Sequence, residues 1–149
     1  MSPPTLNASS YIQWQVIRNN SAFLKRQRGI PKTFSTEPFN LKKINSIRFN
    51  GLVNKKGVDV QLKYKKDEPK AIEAVVVKTK NAKSVSKPVS SVSTKTFGKV
   101  KDSRRIIKSV KSLLKSYKPS MARHAAFRVS KYLRSSKASA PKPVVKTEA

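Results

Sequence analysis

The 149 residues carry 34 Lys and Arg against seven Asp and Glu, giving a formal net charge of +27 and a pI near 10.8. An excess of that size strains a compact fold by self-repulsion unless a polyanion neutralises it, and nucleic acid and an anionic membrane are the two abundant candidates. With no cysteine, disulfides, cysteine-type zinc sites and thiol nucleophiles are excluded, and the sequence holds no run of roughly 20 apolar residues that would span a membrane.

Met1 to Ser10 has no apolar core of the kind a secretory signal needs, so the protein is read as intracellular, with no membrane partner. The charge is unevenly divided. Residues 1–78 hold 15 basic and five acidic side chains, whereas residues 79–149 hold 19 and two.

In chain order, Ser9 and Ser10 offer N-caps ahead of Tyr11, Ile12, Trp14, Val16 and Ile17, and a short helix ended by Asn19-Asn20 is expected, with Trp14 as core anchor. Ala22-Phe23-Leu24 opens a strand that runs into the basic cluster Lys25, Arg26, Arg28 before Gly29 and Pro31 break it. Residues 33–50 read as turn-rich, since Pro38 forbids a central strand position. Val58, Val60 and Leu62 alternate with Asp59, Gln61 and Lys63 as a half-buried strand, and Ile72 to Val77 forms a second. The turn between them contains Asp67 and Glu68, acids more suited to balancing lysines than to holding a metal. A small antiparallel sheet packed by the N-terminal helix would bury Trp14, Phe23, Ile47, Val60 and Val76. Residues 79–99 are rich in Lys and Ser with few large apolar side chains, and read as a linker.

From Asp102 to Tyr117, the residues Ile106, Ile107, Val110, Leu113, Leu114 and Tyr117 fall on one arc of roughly 120° at about 100° per residue, the mark of an amphipathic helix. Arg104, Lys108, Lys111 and Lys115 share the opposite side, with Arg105 beside them. Ser120 can cap a second helix, Met121 to about Arg134, with Ala122, Ala126, Val129 and Leu133 on its apolar face and Arg123, Arg128, Lys131 and Arg134 elsewhere. The short join makes a helical hairpin.

The expected fold is therefore α+β: a short N-terminal helix with a small antiparallel sheet, then a C-terminal basic helical pair and an extended tail. The organisation is 1–78 as an RNA-binding domain, 79–99 as linker, 100–134 as the helical pair and 135–149 as a flexible basic tail.

Catalysis finds little support. His124 is the only histidine, set beside Arg123 on a basic helix, where its neighbours disfavour the protonated form. No carboxylate pair and no Gly-rich phosphate loop exist, so no enzyme, cofactor, metal or small-molecule substrate is expected. The basic groups carry the signal instead. A cationic stripe is ordinarily a solvated face, but acids are almost absent from the Asp102–Tyr117 helix, so intrahelical ion pairs do not explain it. Phosphate contact does. Aromatic rings can stack on unpaired bases, and Phe127, off the apolar face and amid arginines, suits contact with RNA or the tail, with packing on the domain as the plain alternative.

Three stretches resemble one family: "IQWQVIRNNSAFLKR" (Ile12–Arg26), "TFSTEPFNLKKINSIRFNGLVNKKGVDV" (Thr33–Val60) and "MARHAAFRVSKYLRSSK" (Met121–Lys137), with Ser35-Thr36-Glu37-Pro38, Asn40-Leu41 and Asn45-Ser46 the most specific part. The chain resembles the eukaryotic large-subunit ribosomal protein family twenty-eight-e. The resemblance implies a structural protein of the cytosolic large subunit, bound to its ribosomal RNA and to neighbouring ribosomal proteins, with nucleolar transit during assembly. Within the matching stretches it carries over Lys25, Arg26, Lys42, Lys43, Arg48, Lys55 and Lys56 as RNA-facing. Arg28 and the helical cations Arg104, Arg105, Lys108, Lys111, Lys115, Arg123, Arg128, Lys131 and Arg134 complete the expected RNA-binding set. A linker-histone-like chromatin protein is the alternative suggested by the Lys/Ala/Pro tail, and the Ser35–Leu41 motif argues against it. A nucleolar ribosome-assembly factor with the same N-terminal domain type would be longer and acidic at its end.

Overall fold

The computed structural model describes residues 8–65, 72–84, 87, 89–98 and 102–138. Eight elements follow in order: α1 (Ser10–Ile17), β1 (Leu24–Lys25), β2 (Phe34–Ser35), β3 (Val58–Tyr64), β4 (Ile72–Lys80), β5 (Val92–Gly98), α2 (Ser103–Tyr117) and α3 (Pro119–Ala138). The fold is α+β. β1 and β2 form a two-stranded antiparallel ribbon, and β3-β4-β5 form an antiparallel sheet with β4 at the centre.

The alternation in β3 aims Val58 and Val60 at the core. Val60 pairs with Val77 and Leu62 with Val75, which sets one apolar row across the sheet, and Phe97 of β5 extends it opposite Val75. Asp59 departs from the expected solvent face. It is buried, its carboxylate accepting from the Val60 N–H at 2.9 Å and from Gln61 Nε2 at 2.9 Å.

The layer covering this sheet is the C-terminal helical pair, where the N-terminal helix had been expected. Ile106, Val110 and Leu114 of α2 are fully buried with Met121, Ala122, Ala125, Val129 and Leu133 of α3, in one cluster with Val58, Val60, Val75 and Val77. Each large side chain so buried contributes about 1.5–3 kcal/mol. Lys118 alone separates the two helices: its N–H donates to Leu114 O at 2.9 Å, and its carbonyl accepts from Met121 N at 3.0 Å. Pro119 follows at the first turn of α3, where a missing N–H costs nothing.

α1 corrects the expected core. It is capped as expected, Ser9 Oγ accepting from Ile12 N at 3.3 Å, and Asn45 Nδ2 ties its end by donating to Arg18 O at 2.7 Å. Yet it buries no residue. Trp14 is only half-buried, and Ile12 and Val16 are 57% and 70% exposed. Its apolar residues are spread around the helix with no single stripe, so it cannot compete with α2 for the sheet. Phe23 and Ile47 are likewise surface residues and Val76 is half-buried, whereas Val60 is core as expected.

The 79–99 stretch is not simply a linker. β4 runs on to Lys80, and Val92–Gly98 pairs along β4 from Lys80↔Val92 to Ala74↔Gly98. An edge strand of this kind needs its backbone ladder and a single apolar anchor, here Phe97. The Asp67-Glu68 turn and residues 139–149 of the tail lie outside the described residues.

Candidate nucleic-acid interface

The site is built on a buried carboxylate. Glu37 is 2% exposed, and its oxygens accept from Asn40 Nδ2 at 2.7 Å, Asn50 Nδ2 at 2.8 Å and the Gly51 N–H at 3.2 Å. Asn50 passes the constraint on, since its Oδ1 accepts from the Leu52 and Val53 N–H groups at 3.0 and 2.8 Å. Asn40 Nδ2 also donates to Ile44 O at 2.9 Å. A buried carboxylate is tolerated because it is saturated with donors. Phe39 and Lys43 stand at φ of +60° and +57°, the left-handed region, and turn the chain sharply at both ends of Asn40-Leu41-Lys42. Lys43 Nζ then donates back to Glu37 O at 3.3 Å.

This loop lies against the start of α3 and leaves an open groove of about 830 Å³ between them. Lys42, Lys43 and Arg48 line it from the loop. Arg123, Arg128 and Lys131 line it from α3, together with His124, Phe127 and Tyr132. Successive α3 side chains enter at spacings of three and four, one face of a helix. No Asp or Glu is among the lining residues.

Two of these cations also hold the loop to the helix. Arg128 donates through Nε to Tyr132 Oη at 2.9 Å and through a terminal nitrogen to Leu41 O, and Arg48 donates to Ser120 O at 3.2 Å. Rings order the rest. Lys42 and Arg48 lie 5.0 and 5.6 Å from the Phe49 ring centre, and Arg123 lies 5.6 Å from that of Phe127. His124 meets Phe49 edge-on at 5.3 Å. Burial first, then the charges of Lys42, Arg48 and Arg123, push the His124 pKa below its ordinary 6.5.

A second cationic cluster sits at the α2–α3 junction. Lys56 Nζ donates to Tyr117 O at 3.3 Å and Lys118 Nζ to Lys56 O at 2.9 Å, so the carbonyl end of α2 is met by positive charge. Burial, with Arg48 and Lys56 nearby, lowers the Lys118 pKa. Tyr117 Oη donates to Gly57 O at 3.4 Å and to Lys80 O, locking this corner to the sheet.

Of the other expected residues, Arg104, Arg105, Lys108, Lys111 and Lys115 are exposed on α2, and Lys25, Arg26, Arg28, Lys55 and Arg134 are exposed outside the groove. Among the described residues one ion pair forms, Lys63 with Glu73 at 3.0 Å, and it uses none of these cations. Lys118 is the basic residue that sequence reasoning missed. Its signal was its place, the last residue before Pro119 at a helix end whose carbonyls need donors. Among the described residues no group of three or more His, Asp or Glu could hold a metal ion, and no helix is long and apolar enough to cross a membrane.

Over 103 residues the chain is 50% identical to the large ribosomal subunit protein eL28 of Caenorhabditis elegans, covering 68% of this chain and 74% of that one. With the protein of the same name from Dictyostelium discoideum it shares 35% identity over 142 residues, 93% and 98% of the two chains. With that from Schizosaccharomyces pombe it shares 37% over 84 residues, 56% and 58% of the two. A family model described as the Ribosomal L28e protein family matches residues 12–135, spanning the Glu37 loop, the 79–99 stretch and the helical pair. The Glu37 network and the basic groove lie within the matched residues, and the chain belongs to the Ribosomal L28e protein family.

Proposed function

We propose that the chain is a structural constituent of the eukaryotic cytosolic large ribosomal subunit, where it binds and neutralises ribosomal RNA and adjoins other ribosomal proteins. The observation that carries the RNA contact is the groove: six cations converge with no carboxylate among them, in a chain whose described residues form a single ion pair. Phosphates could be met there without breaking an ion pair. The names of the relatives support the ribosomal setting.

The mechanism is electrostatic and shape-based. Lysines act as point charges and arginines fork onto phosphate oxygens, releasing counterions as they do so. The α2 row Arg104, Lys108, Lys111 and Lys115 offers a second contact surface. Such a role is structural rather than catalytic, exercised in the cytoplasm after nucleolar assembly.

The test is sedimentation of the tagged protein from cell lysate after magnesium chelation has split the ribosomes, with a salt wash. Retention in the large-subunit peak through moderate salt is expected. Release to the light fractions, or recovery with chromatin, would overturn the proposal.

A further inference from the structure

Phosphate binding accounts for the cations of the groove and leaves Phe127 unaccounted for. This side chain is 61% exposed, off the buried stripe of α3 formed by Ala122, Ala125, Val129 and Leu133. Arg123, Arg128 and Lys131 surround it at i−4, i+1 and i+4. A ring in that position gains nothing from a phosphate, which would prefer a fourth cation. It does offer a π-face, and base–aromatic stacking is available only to a nucleotide that has left its helix.

We infer that the groove between the 41–48 loop and α3 is a binding site for RNA carrying an unpaired nucleotide, with the base stacked on Phe127 and its flanking phosphates held by Arg123, Lys131 and Lys42. The inference rests on the RNA-binding reading above and narrows it from duplex backbone to a bulged or looped segment.

Three features fit this occupant. The open groove, about 830 Å³, has room for a nucleobase beside the Phe127 ring. Arg123 lies over the Phe127 ring at 5.6 Å, which orders the aromatic platform before RNA arrives and keeps a positive charge at the stack. His124 lines the same groove, fixed edge-on to Phe49, and a neutral imidazole presents one donor and one acceptor to the edge of a base. A stack of this kind tolerates any base, so the preference is for unpaired over paired RNA rather than for a sequence.

The test uses the full chain and two short RNA hairpins, one fully paired and one carrying a single bulged adenosine replaced by a fluorescent adenine analogue. The unaltered protein binds the bulged hairpin about ten-fold more tightly or better, with the analogue's emission quenched by stacking. Phe127→Ala abolishes the preference and the quenching, weakening the bulged hairpin far more than the paired one, and Phe127→Trp keeps both. Phe127 is exposed and alanine favours helix, so the Ala variant folds. Steeply salt-dependent binding without preference for the bulge, or an equal loss on both hairpins in Phe127→Ala, overturns the stacking site alone. Failure of the unaltered protein to bind either RNA overturns both this site and the reading beneath it.

Discussion

Replacing Glu37 with alanine removes the acceptor around which residues 37–53 are folded. Three donors converge on its carboxylate: two side-chain amides, at 2.7 and 2.8 Å, and the Gly51 N–H at 3.2 Å. A hydrogen bond to a charged group nets about 1.5–3 kcal/mol, and a buried donor left without a partner costs about 1–3 kcal/mol. Allowing for shared relaxation, the Ala variant should lose about 4 kcal/mol, a large part of the ~5–15 kcal/mol that holds an ordinary domain together. Glu37→Gln keeps the volume and one acceptor oxygen but turns an NH₂ towards a donor, so about 2 kcal/mol is expected. Urea unfolding followed by far-ultraviolet circular dichroism would rank the three proteins. Hydrogen exchange would localise the damage, because the Leu52 and Val53 amides depend on Asn50 Oδ1, and Asn50 is itself held by Glu37. If both variants unfold within about 1 kcal/mol of the parent, with those two amides still protected, the carboxylate does not organise the loop and the reasoning fails.

Changing Lys108, Lys111 and Lys115 to alanine should weaken RNA binding and flatten the slope of log K against log salt by up to about 0.9 per lost contact on duplex-like RNA; an unchanged slope would mean a merely solvated row. His124, the chain's only histidine, gives a clean NMR titration. Burial and three cations depress its pKa, so the unfolded chain takes up the proton first as pH falls. Its contribution to stability is therefore complete above about pH 6.5 and declines as pH drops through the unfolded value towards the folded one. A measured pKa at or above 6.5 in the free protein would contradict this, as would an identical pH–stability curve for His124→Gln. Gly51→Ala places a Cβ 1.9 Å from Pro38 O and 3.0 Å from the Phe39 carbonyl carbon, backbone atoms that cannot swing aside. It should cost about 3 kcal/mol. At Gly29, where φ is +78° and nothing lies within 4 Å of the added carbon, only the left-handed backbone is penalised, about 1 kcal/mol. Thermal unfolding of the two variants side by side decides whether close approach outweighs backbone strain.

What could be read from sequence follows from how local each signal is. The α2 stripe from Ile106 to Tyr117 is one periodic pattern on one helix, and it specified both the buried face and the basic face. β3 and the start of β4 announced themselves by alternation and by β-branched residues. Val92–Gly98 did not, because a strand laid on the edge of a sheet can leave most of its side chains in solvent, and β5 buries little beyond Phe97. Trp14 misleads because the size of a side chain does not by itself decide its burial. The core is filled by α2 and α3, far along the chain. Glu37 stood inside the most specific motif, yet its partners lie 3, 13 and 14 residues away. Nothing in a local pattern reveals that they meet. The convergence of Lys42, Arg48, Arg123 and Lys131 depends in turn on the left-handed turns at Phe39 and Lys43, so composition could find the charges and not the groove.

The geometry also divides those charges by what they already hold. Arg128, Arg48, Lys43, Lys56 and Lys118 donate to main-chain carbonyls, and so join the loop, the α2–α3 junction and the helical pair into one body. Arg123 and Lys42 rest on aromatic rings, and the exposed row of α2 forms no ion pair among the described residues. Removing a cation of the first kind takes away a structural donor together with a charge, so a loss of RNA affinity there mixes a displaced loop with a missing phosphate contact. Removing one of the second kind should relieve self-repulsion in a chain of net charge +27, and stabilise the free protein slightly while weakening its complex. Opposite signs for stability and affinity are therefore the mark of a residue kept for its partner, and the cations of the groove can be sorted by that criterion one at a time.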